Sequence, residues 1–284
     1  MVIGRRRFLQ GAAVLGATVA GAAAPVLAEA EEQRAHPERV TFHLPGLDPA
    51  HDGLRVAQLS DIHVGPRTSP ETILRAVEQA NEFHPDLVVL TGDYVSRSAA
   101  EVEGVRTLLA GLAAPTVAVL GNHDHTVNPG GAAEALRSNG YEVLENAWTR
   151  IWLRGAPLHL VGVDDAMTHH DDVSAAVRGL PARATPVVLA HGPRTANRLR
   201  GLERPLLCLS GHTHGGQINL PIVTPLLLAS LHEPYARGRY ELGQVQLYVN
   251  RGIGMSGIRV RINSPAEVTL ATLRAVDGPA RRGA

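Results

Sequence analysis

Five times along the chain a short run of apolar residues breaks abruptly into polar ones. LRVAQL gives way to SDIH, DLVVL to TGD, TVAVL to GNHDH, PVVLA to HGP, and LLCL to SGHTHGG. Unbroken Val- and Leu-rich runs of this length fit strands buried on both faces. Between them the period changes. Ser69 is placed to cap a helix with Pro70 at its first position, and Ile73, Leu74, Val77 and Ala80 recur at helical spacing. Val102, Val105, Leu108, Leu109 and Leu112 repeat that pattern before the third run. Strand, helix, strand, helix predicts a parallel-rich α/β sheet. Ligands gather beyond the carboxyl ends of such strands, so all five endings are expected to meet at one rim.

The two ends of the chain follow no such pattern. Residues 1–28 hold consecutive arginines, then Phe8-Leu9, then an Ala/Gly-rich apolar stretch. The order Arg5, Arg6, any residue, Phe8, Leu9 resembles the twin-arginine export signal, an address read by the twin-arginine translocase. It predicts cleavage after Ala28; a retained anchor is the alternative, since about 20 apolar residues span a bilayer. Export would deliver the folded protein to the periplasm, the cell wall or the outer face of the membrane. Residues 29–52, with Pro37, Pro45 and Pro49, read as a linker running into an edge strand near Val40 to Leu44. Residues 53–275 read as one folded domain, which carries all five strand endings, and 276–284 as a disordered tail.

Composition narrows the class. The chain has 284 residues, 44% hydrophobic and 19% charged, with formal net charge zero. That balance argues against a nucleic-acid partner. All 27 residues counted as Lys or Arg are Arg, which excludes Schiff-base lysines and lysine-dependent phosphate loops. A single cysteine, Cys208, excludes a disulfide framework and a thiolate zinc cluster, and its apolar run marks it as a small buried hydrophobe. Histidine is the unusual count, at 14.

What the strand endings bring together is Asp61, His63, Asp93, Asn122, His123, His191, His212 and His214. Oxygen and imidazole ligands suit divalent Mn, Fe or Zn. The set is too large for one tetrahedral site, and a carboxylate between two ions can bridge them, which points to a two-metal centre of the kind that hydrolyses phosphate esters. Gly-Asp after a strand is by itself an ordinary turn. GNHD and GHTHGG say more, because histidines seldom crowd a tight glycine turn.

At these residues the chain resembles the calcineurin-like metallophosphoesterases, whose ordered motifs are D-x-H, G-D, G-N-H-D/E, a lone His and G-H-x-H. GHTHGGQINLP and RGIGMSGIRVRINSPAEVTLATL resemble the bacterial branch of that family that carries a twin-arginine signal. The resemblance spans roughly Gly53 to Leu273. It implies a four-layer α/β/β/α sandwich with two mixed sheets and two divalent metal ions at one end. It makes Asp61, His63 and His214 ligands of one metal, Asn122, His191 and His212 ligands of the other, and Asp93 the bridge. A metal-bridging hydroxide would attack phosphorus in line, with His123 as the non-ligand histidine that protonates the leaving oxygen, and Asp124 is expected to orient His123. One departure stands out: the family has a polar residue and Pro-Asp after the lone His, whereas Gly192-Pro193-Arg194 follows His191 here. Arg194 is read as a helix start, with a phosphate contact as the alternative.

The other histidines, His36, His43, His51 and His84, are read as surface or loop residues, and His169 and His170 as solvated beyond a strand ending at Asp164 and Asp165. His125 is close enough in sequence to contact substrate. Arg259 and Arg261 alternate as on a strand, so they share one face, which an exposed sheet face explains as well as phosphate binding does. Leu226 to Leu231 is read as packing on the second sheet; an apolar lip touching a membrane surface or a lipid-linked substrate is the alternative. The expected function is a metal-dependent phosphodiesterase acting on a phosphate-ester small molecule or lipid-linked substrate. The alternatives are a broad phosphomonoesterase, a UDP-acyl-sugar pyrophosphatase-like enzyme and a non-catalytic metal-binding envelope protein. No Gly-x-Ser-x-Gly elbow supports a serine hydrolase.

Overall fold

The apolar runs are central strands, and alternate residues within each serve different cores. The computed structural model describes residues 35–220, 224, 226 and 233–276. In chain order the strands are β1 (His36–Pro45), β2 (Leu54–Leu59), β3 (Leu87–Leu90), β4 (Thr116–Ala118), β5 (Glu142–Val143), β6 (Ala147–Leu153), β7 (Ala156–Val163), β8 (Val187–Ala190), β9 (Leu206–Ser210), β10 (Gly238–Leu242), β11 (Val245–Val249) and β12 (Glu267–Val276). The helices are α1 (Pro70–Glu82), α2 (Val102–Leu108), α3 (Asn122–Val127), α4 (Pro129–Ser138), α5 (Val173–Ala176) and α6 (Thr195–Leu199). One six-stranded sheet runs β1-β12-β2-β3-β4-β5 and a second runs β10-β11-β9-β8-β7-β6. Both are mixed. β2 to β5 are parallel with β12 antiparallel to β2, and β11, β9, β8 and β7 are parallel with β10 and β6 antiparallel at the edges.

Val56, Val89 and Val117 of the first sheet share one buried layer with Leu160, Leu189 and Leu209 of the second. On the opposite faces, Leu59, Val88 and Leu90 pack on Ile73 and Val77 of α1 and on Leu136 of α4. Val161, Val188 and Cys208 pack on Ala176 of α5 and Leu199 of α6. The result is the expected α/β/β/α sandwich, and it explains why the strand runs carry no polar alternation: both faces of each strand are covered. Helix α1 begins as its sequence dictates. Ser69 Oγ accepts the Thr72 amide at 3.2 Å, and Pro70 supplies the preset first turn.

Several expectations are corrected. The strands that end in the histidine motifs do not lie in one sheet: three belong to the first and two to the second. The edge strand expected near Val40 to Leu44 is β1, at the edge of the first sheet, but it begins earlier, pairing with β12 from His36 to Pro45 and burying Phe42 and Leu44 completely. His51 is buried, with Nε2 3.2 Å from the Leu153 carbonyl oxygen, because a 3-10 turn folds it under the β6–β7 hairpin. Arg259 and Arg261 lie in an irregular loop, not a strand. Leu226 is 67% exposed and does not pack on the second sheet. Val276 closes β12; the export signal, residues 29–34, the remainder of the Leu226–Leu231 run and residues 277–284 lie outside the described residues. No helix among the described residues is long and apolar enough to cross a membrane.

Candidate metal centre

The two sheets deliver their motifs to a common end. Asp61 and His63 follow β2, Asp93 follows β3, Asn122 opens α3 beyond β4, His191 follows β8, and His212 and His214 follow β9. Pairing continues past the strands, with the Asp61 amide donating to Gly92 at 2.9 Å and the His63 amide to Asp93 at 3.0 Å. The sheets are also tied across the layer. Gln58 Nε2 donates to the Ser210 carbonyl at 2.9 Å, and His191 Nδ1 donates to the Thr91 carbonyl at 2.7 Å. The His212 amide lies 3.1 and 3.0 Å from the two carboxylate oxygens of Asp61.

The backbone is bent hard to achieve this. Asp61, His63, Asp93, His212 and His214 have φ of 51, 47, 58, 72 and 52°, in the left-handed region that non-glycine residues avoid. Each such residue typically costs about 1–3 kcal/mol and persists only where the surroundings over-determine it.

The donor atoms converge in two groups that share a carboxylate. In the first, His214 Nε2 is 3.1 Å from His63 Nε2 and 3.3 Å from Asp61 Oδ1. In the second, His191 Nε2 is 3.2 Å from Asn122 Oδ1, 3.3 Å from Asp93 Oδ2 and 3.3 Å from His212 Nδ1. Asp93 Oδ2 also lies 3.6 Å from His63 Nε2. Ligands held about 2.0–2.2 Å from a cation at tetrahedral or octahedral angles lie about 2.8–3.6 Å from one another, and these separations match. Because His191 Nδ1 donates to a carbonyl, a neutral ring would turn a bare lone pair on Nε2 toward three further acceptor-type atoms. Such a convergence of lone pairs is repulsive without a positive charge among them. The residues fit divalent cations.

The charges say the same. Asp61, Asp93 and Asp124 are all buried, and burial of carboxylates needs compensation. Burial pushes Asp61 up to about 6 against the pull of His191. Burial also opposes a charge on Asp93, but His191, His63 and His123 together hold it well below the usual carboxylate range. Burial works against a proton on His191 too, yet Asp93 and Asp61 raise it to about 10. Burial depresses His63 to about 3 and, with His191, His212 to about 4. One imidazolium thus stands in where cations would balance the carboxylates.

His123 belongs to the site without joining either triad of Asp61, His63 and His214 or Asp93, His191 and His212. A ring nitrogen of it lies within 4.8 Å of ligand atoms of both His63 and Asp93, and its ring packs edge-on against that of His63 with centroids 4.7 Å apart. Its amide donates to Asp93 Oδ1 at 2.8 Å, which leaves Oδ2 turned toward the histidines. Asp124 does not orient it. Its carboxylate instead accepts the amides of Asp93 and Gly121 on Oδ2 and those of Tyr94 and Val95 on Oδ1, so it braces the turn after β3 and the start of α3. The His123 ring is held by the Ser96 carbonyl, at 2.8 Å from Nδ1. A backbone carbonyl leaves no sequence signal.

Two glycines make room for this packing. A Cβ on Gly121 would collide with the Asp93 carboxylate, and one on Gly92, whose φ is +94°, would lie 2.8 Å from His191 Nδ1. Arg194 occupies the position just before α6, without a side-chain capping bond, and pairs with Glu233 at 3.8 Å, consistent with its reading as a helix start.

The strand expected to end at Asp164 and Asp165 is β7. Both acids are buried, and His169 and His170 beyond them are exposed, as expected. Asp164 Oδ1 accepts His125 Nε2 at 2.7 Å, and the His125 ring stacks on His170 with centroids 4.1 Å apart. The usable signal was the one already noted: another apolar strand running into acids at the same end.

Comparison with known proteins agrees with this geometry. Residues 54–216 match the family model described as calcineurin-like phosphoesterase. An uncharacterized metallophosphoesterase of Bacillus subtilis, YkuE, is 31% identical across 96% of this chain and 98% of its own length. The phosphodiesterase YaeI of Escherichia coli is 32% identical across 96% of this chain and 100% of its own. The UDP-2,3-diacylglucosamine pyrophosphatase LpxG of Chlamydia trachomatis is 27% identical across 82% of this chain and 87% of its own. The architecture, the ordered motifs and the matched span together make this chain a member of the calcineurin-like phosphoesterase family.

Proposed function

We propose that the site holds two divalent cations, of Mn, Fe or Zn, and hydrolyses phosphodiesters. One observation carries the reading: Asp93 Oδ2 lies 3.6 Å from His63 Nε2 and 3.3 Å from His191 Nε2, so one carboxylate oxygen serves both donor groups. Asp61, His63 and His214 would hold one ion, Asn122, His191 and His212 the other, and Asp93 both. When bound, such ions neutralise phosphoryl oxygens and make water a nucleophile near neutral pH. The chain's own residues then position and protonate. His123, its Nδ1–H held by the Ser96 carbonyl, would as an imidazolium give the proton on Nε2 to the leaving oxygen and become the neutral Nδ1–H ring. Asp124 holds the turns that carry Asp93 and His123.

The phosphodiesterase reading is supported by the likeness to YaeI, and a lipid-linked phosphoester by the likeness to LpxG. Export through the twin-arginine route, as Arg5 and Arg6 suggest, is part of the same proposal; a reporter fused to residues 1–30 should be exported only while both arginines remain. The enzymatic test is metal analysis together with hydrolysis of bis- and mono-p-nitrophenyl phosphate after Mn addition. Metal in both sites and faster turnover of the diester are expected. Faster turnover of the monoester would make this a monoesterase, and no metal with no turnover would remove the hydrolase reading.

A further inference from the structure

Beside the first donor group the chain raises a loop whose outermost side chains are apolar. Ile258 is 54% exposed and Val260 45%. Arg259 lies exposed between them, and the turn into the loop is made by Gly257 at φ +72°. Aliphatic side chains on a loop tip gain nothing from water, and burial of such surface is what folding normally arranges.

The loop is held firmly at its base. Gln217 Nε2 donates to the carbonyls of Ser256 at 3.0 Å and Ile258 at 2.9 Å, and Gln217 Oε1 accepts the Ser256 amide at 2.9 Å. Ile262 bridges Ile218. Thr224 folds back on the same segment, its Oγ1 donating to the Ile218 carbonyl at 2.8 Å, and Leu226 two residues on is 67% exposed. Leu226, Ile258 and Val260 are thus carried by segments bonded to one another. That shared base is the continuation of the GHTHGG motif. Ser264 Oγ donates to the His214 carbonyl at 2.7 Å, and Arg261 Nη2 lies 3.3 Å from His214 Nδ1.

The charge along the loop has one sign. From Ser256 to Pro265 the chain has two arginines and no acid; Arg259 is exposed, whereas Arg261 turns inward onto the carbonyls of Arg251, Gly252, Gly254 and Ser264. Arg237, also exposed, reaches the same region by donating to the Asn263 carbonyl at 2.7 Å. An exposed aliphatic tip that carries Arg259 and has Arg237 near its base matches a lipid–water interface, where apolar side chains enter the acyl boundary and guanidinium groups stay at the phosphates. We propose that the Ser256–Arg261 loop, with Leu226, docks the protein on an anionic lipid surface beside the site, so that phosphoesters embedded in that surface are presented to it. The delivery of substrate rests on the proposed hydrolase; the docking does not.

The test uses the full chain with Ile258→Trp as a reporter, the parent chain's emission from Trp148 and Trp152 being subtracted. Vesicles of phosphatidylcholine alone are compared with vesicles that also contain phosphatidylglycerol, each with and without brominated acyl chains. The added emission should shift to the blue and be quenched by bromine only with the anionic vesicles. Arg259→Glu in the same background should raise the lipid needed for half the effect by about tenfold or more. A reporter that stays solvent-exposed with every vesicle, or that enters neutral and anionic vesicles alike, overturns the proposal. So does a blue shift without lipid that grows with protein concentration, which would assign the loop to a second copy of the chain. Hydrolysis of soluble bis-p-nitrophenyl phosphate by the Ile258→Trp chain should equal that of the parent, showing that its site is intact. An inactive parent that still docks would sink the hydrolase reading alone.

Discussion

His123 Nδ1 lies 2.8 Å from the carbonyl oxygen of Ser96. A carbonyl only accepts, so Nδ1 carries the hydrogen and Nε2 is the nitrogen left for substrate. On the proposed reading, replacing His123 removes a proton donor without removing a metal ligand. His123→Ala should lower kcat by about 10²–10⁴ with metal content unchanged. Steady-state kinetics with metal analysis on the same samples checks this, and an unchanged kcat would refute the acid assignment.

Asp93 is placed by its neighbours as much as by its own strand. Asp93→Ala should lose both metal and activity, since its Oδ2 faces both histidine groups. Gly121→Ala makes a sharper case, because it changes no ligand yet puts a methyl group into the Asp93 carboxylate. Weaker metal retention on dialysis is expected there, and retention equal to wild type would show that Asp93 moves freely.

Removing the cations should leave a proton behind. In the cation-free protein His191 is held up to about 10 by Asp93 and Asp61 against its own burial, so near pH 8 it carries a proton that a ligand cannot keep. Adding Mn to the dialysed protein in weak buffer should release about one proton per chain. Calorimetry in buffers of different ionisation enthalpy measures it. Zero release would mean that His191 is already neutral.

The His125–Asp164 pair gives a pH dependence away from the ligands. Its 2.7 Å bond raises His125 above its ordinary value. A raised histidine contributes stability fully below about pH 6.5 and loses it as pH rises through the folded-state value. His125→Gln should therefore lower Tm by about 2–4 °C near pH 6 and by less near pH 9. A deficit that stays constant across that range would show that the pair does not titrate.

Much of the site was legible because its residues are local to strand ends. Asp61, His63, Asp93, Asn122, His191, His212 and His214 each follow an apolar run within a few positions, and a run read as buried on both faces must end where the sheet ends. Helix α1 was equally legible, since Ser69 and Pro70 act on backbone beside them. The misreadings share one cause. The edge strand read near Val40 to Leu44 begins earlier, at His36, because the partner that extends it, β12, lies more than two hundred residues away along the chain. Asp124 looked like the orienter of His123 by adjacency, whereas backbone amides from the turn after β3 had already claimed both its oxygens.

The sequence alone therefore determined which chemical groups the protein possesses and that strand ends carry them, because period, capping and turn chemistry act over a few residues. Only the tertiary structure decided that three endings from one sheet meet two from the other, with Asp93 between them. It also decided that five of these residues sit at positive φ and that a carbonyl aims His123. The reason is physical: packing one sheet face on the other sets distances between residues that share no local backbone, and no pattern along the chain encodes them.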